Sequence, residues 1–71
     1  MGDISHTVYV QYKSGGTPWQ RKLYAKSDAH ARARLLDFIT EEKIRPDDFS
    51  ACTVNGPNHS QYKLNYRGDK I

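Results

Sequence analysis

The chain has 71 residues, a net charge of +3, 37% hydrophobic residues and 11% aromatics. A domain this short hides only about 60% of its unfolded surface on folding, so one small core filled with rings is the most it can build. No run approaches the roughly 18 apolar residues of a membrane span, Met1-Gly2-Asp3 opens without the basic and apolar regions of a signal peptide, and the single cysteine, Cys52, has no internal disulfide partner. The expectation is one cytoplasmic domain over residues 1–71 with no membrane partner.

Residues 5–13 (SHTVYVQYK) alternate with period 2 and are rich in β-branched and aromatic residues, which predicts a strand. His6, Val8, Val10 and Tyr12 share one side; Thr7, Tyr9, Gln11 and Lys13 share the other. Residues 14–18 (SGGTP) predict a turn. A second strand is expected over 19–25, with Trp19, Arg21, Leu23 and Ala25 opposed to Gln20, Lys22 and Tyr24. The short connection makes an antiparallel hairpin the economical pairing.

At Ser27 the period becomes helical. Ser27 is a good N-cap, and Asp28 falls in the first turn, where the helix dipole favours a negative charge. Ala31, Leu35, Phe38 and Ile39 form an apolar stripe opposite His30, Arg34, Asp37 and Glu41. The pattern predicts a surface helix running to about Lys43 and ended by Pro46. Pro46-Asp47-Asp48 reads as a turn. Strands are expected over 49–54 (FSACTV) and 61–67 (QYKLNYR), separated by the loop Asn55-Gly56-Pro57-Asn58. In the last strand Tyr62, Leu64 and Tyr66 oppose Gln61, Lys63, Asn65 and Arg67. The ends, 1–4 and 68–71, are expected to fray. The fold class is therefore α+β, in the order β-β-α-β-β: an antiparallel four-stranded sheet with one helix packed on one face. Strand order within the sheet is left open.

Charge is uneven along the chain. In residues 1–26, Lys13, Arg21, Lys22 and Lys26 against Asp3 give +3; the helix segment 27–48 is slightly acidic, and 49–71 carries +2. If the apolar positions face the helix, the outer sheet face presents Tyr9, Lys13, Lys22, Tyr24, Lys63 and Arg67 among amides, with no acid. Rings among cations suit nucleic acid, because bases stack while Lys and Arg meet phosphates. The same field suits an acidic protein surface. Solvated outer faces of small sheets often have this composition without any partner, since Lys guards edges and cross-strand pairing favours Tyr and Thr.

No catalytic motif emerges. His6, His30, His59 and Cys52 lack the close ligand pairs of zinc sites, so no metal is expected. A lone Cys in a strand is most often a small buried hydrophobe. His59-Ser60 has no orienting acid nearby in sequence. Ser14-Gly15-Gly16-Thr17 lacks the P-loop lysine and its following helix. No cofactor and no enzymatic activity are expected.

The small β-β-α-β-β plan, with a helix beginning S-D-A-H-A-R-A-R-L-L after a hairpin, resembles accessory proteins of bacteriophages and mobile elements, including some anti-CRISPR proteins. The resemblance implies a non-enzymatic inhibitor that occupies a host nucleic-acid-handling complex. It carries no functional residue across, and the basic charge departs from the acidic inhibitors that mimic DNA. The expected binding residues, from the sheet-face argument and the 14–18 turn, are Tyr9, Lys13, Trp19, Lys22, Tyr24, Lys63 and Arg67. The partner is a protein complex that handles nucleic acid or, alternatively, nucleic acid itself; a homodimer through an edge strand is a further assembly.

Overall fold

The computed structural model describes residues 4–71. The elements run β1 (His6–Ser14), β2 (Thr17–Ala25), α1 (Asp28–Glu42), a 3₁₀ turn (Pro46–Asp48), β3 (Phe49–Asn55) and β4 (Gln61–Leu64). The α+β order expected from the sequence is present. All pairings are antiparallel, and the sheet order is β2-β1-β3-β4, so β1 is central and the two hairpins lie side by side.

The first hairpin is tighter than the sequence suggested. Ser14 pairs with Thr17, leaving a two-residue turn of Gly15 (φ 60°) and Gly16 (φ 80°). Positive φ at both central residues is the turn geometry whose twist matches that of the flanking strands. Pro18, assigned above to the turn, is in fact a strand residue opposite Lys13. An edge strand tolerates it because its missing N–H would have pointed away from β1.

Helix α1 begins as expected. The Ser27 Oγ accepts from the His30 backbone N–H (3.1 Å), and the His30 Nδ1 accepts from the Lys26 N–H (3.0 Å), a reciprocal cap. Its end is not set by Pro46. Lys43 adopts the left-handed conformation (φ 53°, ψ 45°), and the Ile44 N–H reaches back to the Ile39 carbonyl (3.0 Å). This closes the helix while burying Ile44, two residues before the proline. Pro46 instead opens the 3₁₀ turn.

Alternation buries one sheet face. Val8, Val10, Tyr12, Ala25, Cys52, Val54 and Leu64 meet Ala31, Leu35, Phe38, Ile39 and Ile44 in one cluster, with Leu23, Phe49, Tyr62 and Tyr66 packed against it. The rings of Tyr12 and Phe38, and of Phe49 and Tyr66, meet edge to face with centroids 5.4 and 5.7 Å apart. Cys52 is buried, as a small hydrophobe would be.

The fourth strand is shorter than 61–67. The Asn65 Oδ1 accepts from the backbone N–H of Arg67 and of Asp69, both at 2.9 Å, drawing the chain into a turn after Leu64. Residues 68–71, placed among the fraying ends, fold back along β4. The Asn65 N–H donates to the Asp69 carbonyl (2.9 Å), the Ile71 N–H donates to the Lys63 carbonyl (3.0 Å), and Lys70 bridges Leu64. Of the other end, residues 1–3 lie outside the described residues, and Ile4 is exposed. Among the described residues no helix is long and apolar enough to cross a membrane.

Candidate functional site: the outer sheet face

Two hairpins side by side bring the expected face together from three strands. Cross-strand register aligns Lys22, Tyr9, Thr53 and Lys63 in one row, and Tyr24, Thr7, Asn55 and Gln61 in the next. At strand spacings of about 4.8 Å, Lys22 and Lys63 stand roughly 14 Å apart. The Lys22 Nζ lies 5.6 Å from the centroid of the Tyr9 ring, a cation–π contact that fixes the ammonium over a half-buried ring. Tyr24 is 48% exposed and is the ring this face offers to solvent. Lys13 is exposed at the hairpin end of the same face. No Asp or Glu occupies a strand position there.

Two expected residues fall elsewhere. Arg67 is in the turn that Asn65 organises, beyond the end of β4, so the face holds three cations from its strands and not four. Trp19 pairs with Tyr12 and therefore lies on the helix side of the sheet. It is 55% exposed and borders a concavity of about 380 Å³ with Tyr12, Ser14, Gln20, Arg21 and Glu42. The sheet separates it from Tyr9 and Tyr24. Arg21, on that same side, stacks 6.0 Å from the Phe38 ring centroid.

The structure also assembles a polar cluster that the sequence reading did not anticipate. The buried His6 donates from Nε2 to the Asp28 Oδ1 (2.9 Å), and the Tyr62 hydroxyl donates to the same oxygen (2.8 Å). The His6 Nδ1 meets the Ser5 Oγ at 2.7 Å, and that hydroxyl is also 3.0 Å from the Lys26 carbonyl. The Lys70 Nζ sits 4.3 Å over the Tyr62 ring. The Tyr62 hydrogen bond, His6 and Lys70 hold the Asp28 carboxyl below its usual range, against a smaller opposing effect of desolvation. The same contact, added to burial, pushes the Tyr62 phenol up to about 12. Because an ionised Asp28 can only accept, Nε2 carries a proton. Neutral His6 then accepts the Ser5 O–H at Nδ1. Protonated His6 donates to the Ser5 Oγ, which turns its proton to the Lys26 carbonyl.

Both states of His6 are satisfied, and the cluster ties β1, the start of α1 and β4 together. Ser5, His6 and Asp28 stand in a hydrogen-bonded chain, with the Ser5 hydroxyl also beside the Lys26 carbonyl. The available signal was His6 at an inward position of β1, with Asp28 one residue after the cap. Nothing in the sequence showed that β4 would bring Tyr62 to the same oxygen.

Around the second hairpin, Asn58 and His59 both take positive φ (57° and 61°), and the Ser60 N–H donates to the Pro57 carbonyl (3.1 Å). The turn has the geometry of the Gly15-Gly16 turn without its glycines. A Cβ at Gly56 would come within 2.5 Å of the Ser60 Oγ, so a larger residue there would push the Ser60 hydroxyl off the Pro57 carbonyl. Among the described residues no three His, Cys, Asp or Glu side chains gather as metal ligands. No protein-family model, curated protein or solved structure matches the chain.

Proposed function

We propose that this chain is a non-enzymatic binding module, a small inhibitor or accessory protein that docks its outer sheet face on an acidic surface of a nucleic-acid-processing complex in the cytoplasm. The observation that carries the reading is the row Lys22–Tyr9–Thr53–Lys63, two cations held about 14 Å apart on a rigid sheet with no acid between them. A pre-set pair of charges steers association with an acidic surface and fixes its register. Two features favour a protein partner over naked nucleic acid. Tyr9 is half-buried under Lys22, so only Tyr24 is free to stack, whereas strand-tracking sites use successive rings. The position of Arg67 beyond the end of β4 also leaves the face three strand cations, so the phosphate contacts it can make, and the electrostatic affinity they supply, are few.

The test is capture of the native partner by the parent and by Lys22→Glu/Lys63→Glu, with oligonucleotide binding measured in parallel. The expected result is a protein complex retained by the parent and released by the double variant, with oligonucleotide affinity no tighter than the non-specific range of about 10⁻⁴–10⁻⁶ M. Equal retention by the two proteins would make this face ordinary solvated surface. Tight, salt-sensitive oligonucleotide binding would replace the reading with direct nucleic-acid recognition.

A further inference from the structure

The two edges of the sheet are not equivalent. The edge of β4 is covered by the chain's own C-terminus, through the Ile71 N–H on the Lys63 carbonyl and the Asn65 N–H on the Asp69 carbonyl. Among the described residues the edge of β2 has no such cover. Ser14 and Thr17 flank the two-residue turn as a hydrogen-bonded pair, so β2's odd residues exchange their hydrogen bonds with β1. The Ser5 N–H on the Ala25 carbonyl (3.1 Å) has the same phase. The N–H and C=O groups of Gln20, Lys22 and Tyr24 therefore point outward, in a ladder bounded at one end by Pro18, which has no N–H to offer.

We propose that this edge takes an extended segment of a partner protein, bearing adjacent acidic residues, as an added fifth strand. Main-chain hydrogen bonds supply the affinity of such an addition, and the side chains on the two faces supply its selectivity. Successive residues of an added strand fall on opposite faces, so one acid meets Lys22 on the outer face and its neighbour meets Arg21 on the helix side. Neither cation has a salt-bridge partner among the described residues. Trp19 stands one pair further along on the helix side, beside a concavity that Arg21 and Glu42 also line, and Tyr24 stands one pair along on the outer face; both rings are exposed and can cover the flanking residues of the added strand. A second copy of β2 fits less well, because an antiparallel self-pair gathers two Arg21 and two Lys22 on one short ladder with no acid among them.

The experiment selects from a displayed library of random nine-residue segments on the whole protein, then measures one enriched segment as a synthetic peptide. Enrichment of adjacent Asp or Glu within β-branched segments is expected, with slowed amide exchange at Gln20, Lys22 and Tyr24 in the peptide complex. Arg21→Glu should weaken the peptide by about tenfold or more, equivalent to 1.4 kcal/mol. Gln20→Pro should abolish binding while leaving the β1–β2 ladder whole, since the N–H it removes points outward. N-methylation of alternate peptide amides should do the same without touching the protein, which keeps the test valid if Gln20→Pro fails to fold. These changes leave Tyr9, Lys22 and Lys63 in place, so failure here is separate from failure of the outer-face reading. The proposal is overturned by an absence of enrichment, by enrichment without acidic residues, by undiminished binding of the methylated peptide, or by a concentration-dependent dimer in which those three amides are already protected.

Discussion

Leu35→Ala is the sharpest test of how the helix is seated. Leu35 is fully buried at the centre of the apolar stripe of α1, in the cluster that contains Val8, Val10 and Val54. Truncation removes three carbons, and at roughly 0.8 kcal/mol per buried CH₂ the transfer loss is about 2.4 kcal/mol. A sheet held on one side by the β1–β2 hairpin cannot collapse freely into the space. A residual cavity then adds to the loss, placing the expected cost at about 3–4 kcal/mol within the range for such truncations. A domain of this size has roughly 4–10 kcal/mol in total, so between about a third and nearly all of its stability is at stake. Urea denaturation followed by far-ultraviolet circular dichroism measures it. With a slope of about 1 kcal/mol per molar urea, the midpoint should fall by about 3 M at unchanged slope. A loss below about 1 kcal/mol would mean that the site is loosely packed and that the phase of α1 against β1 and β2 is wrong.

Cys52 should resist labelling in the folded protein and react at once in denaturant, because burial pushes its thiol up to about 12; rapid native labelling would refute its burial. Tyr62→Phe removes the largest influence holding the Asp28 carboxyl low, so the Asp28 titration midpoint, read by carboxyl ¹³C shift, should move up towards 3.8. The ionised Asp28 contributes stability present above the unfolded carboxylate range and lost as pH falls through its lowered folded value, so Tyr62→Phe should also flatten the loss of melting temperature on acidification below about pH 4. An unmoved midpoint would separate Tyr62 from Asp28. Lys43→Gly should raise stability by up to about 1 kcal/mol, since the left-handed cap position penalises any Cβ; a destabilised variant would point to packing by the Lys43 stem.

Local physics made much of the fold legible in the sequence. Period-2 alternation assigned Val8, Val10 and Leu23 inward and Tyr9, Lys22 and Tyr24 outward, because a strand has only two faces and one must be buried. Ser27 marked the helix start, since a hydroxyl there satisfies an N–H that no earlier turn can. Other features depend on groups distant in sequence. The order β2-β1-β3-β4 joins the two hairpins through β1 and β3, and that long-range pairing brings Lys63 into one row with Lys22 and Tyr9. The end of β4 was set by a side-chain amide, Asn65, competing with the ladder for backbone N–H groups, which moved Arg67 off the face. The His6–Asp28–Tyr62 cluster rests on hydrogen bonds that span 22 and 34 positions, and no local pattern encodes such contacts. The difference between a covered β4 edge and a β2 edge left unpaired among the described residues was likewise decided in three dimensions, where residues 69–71 fold back on one side of the sheet.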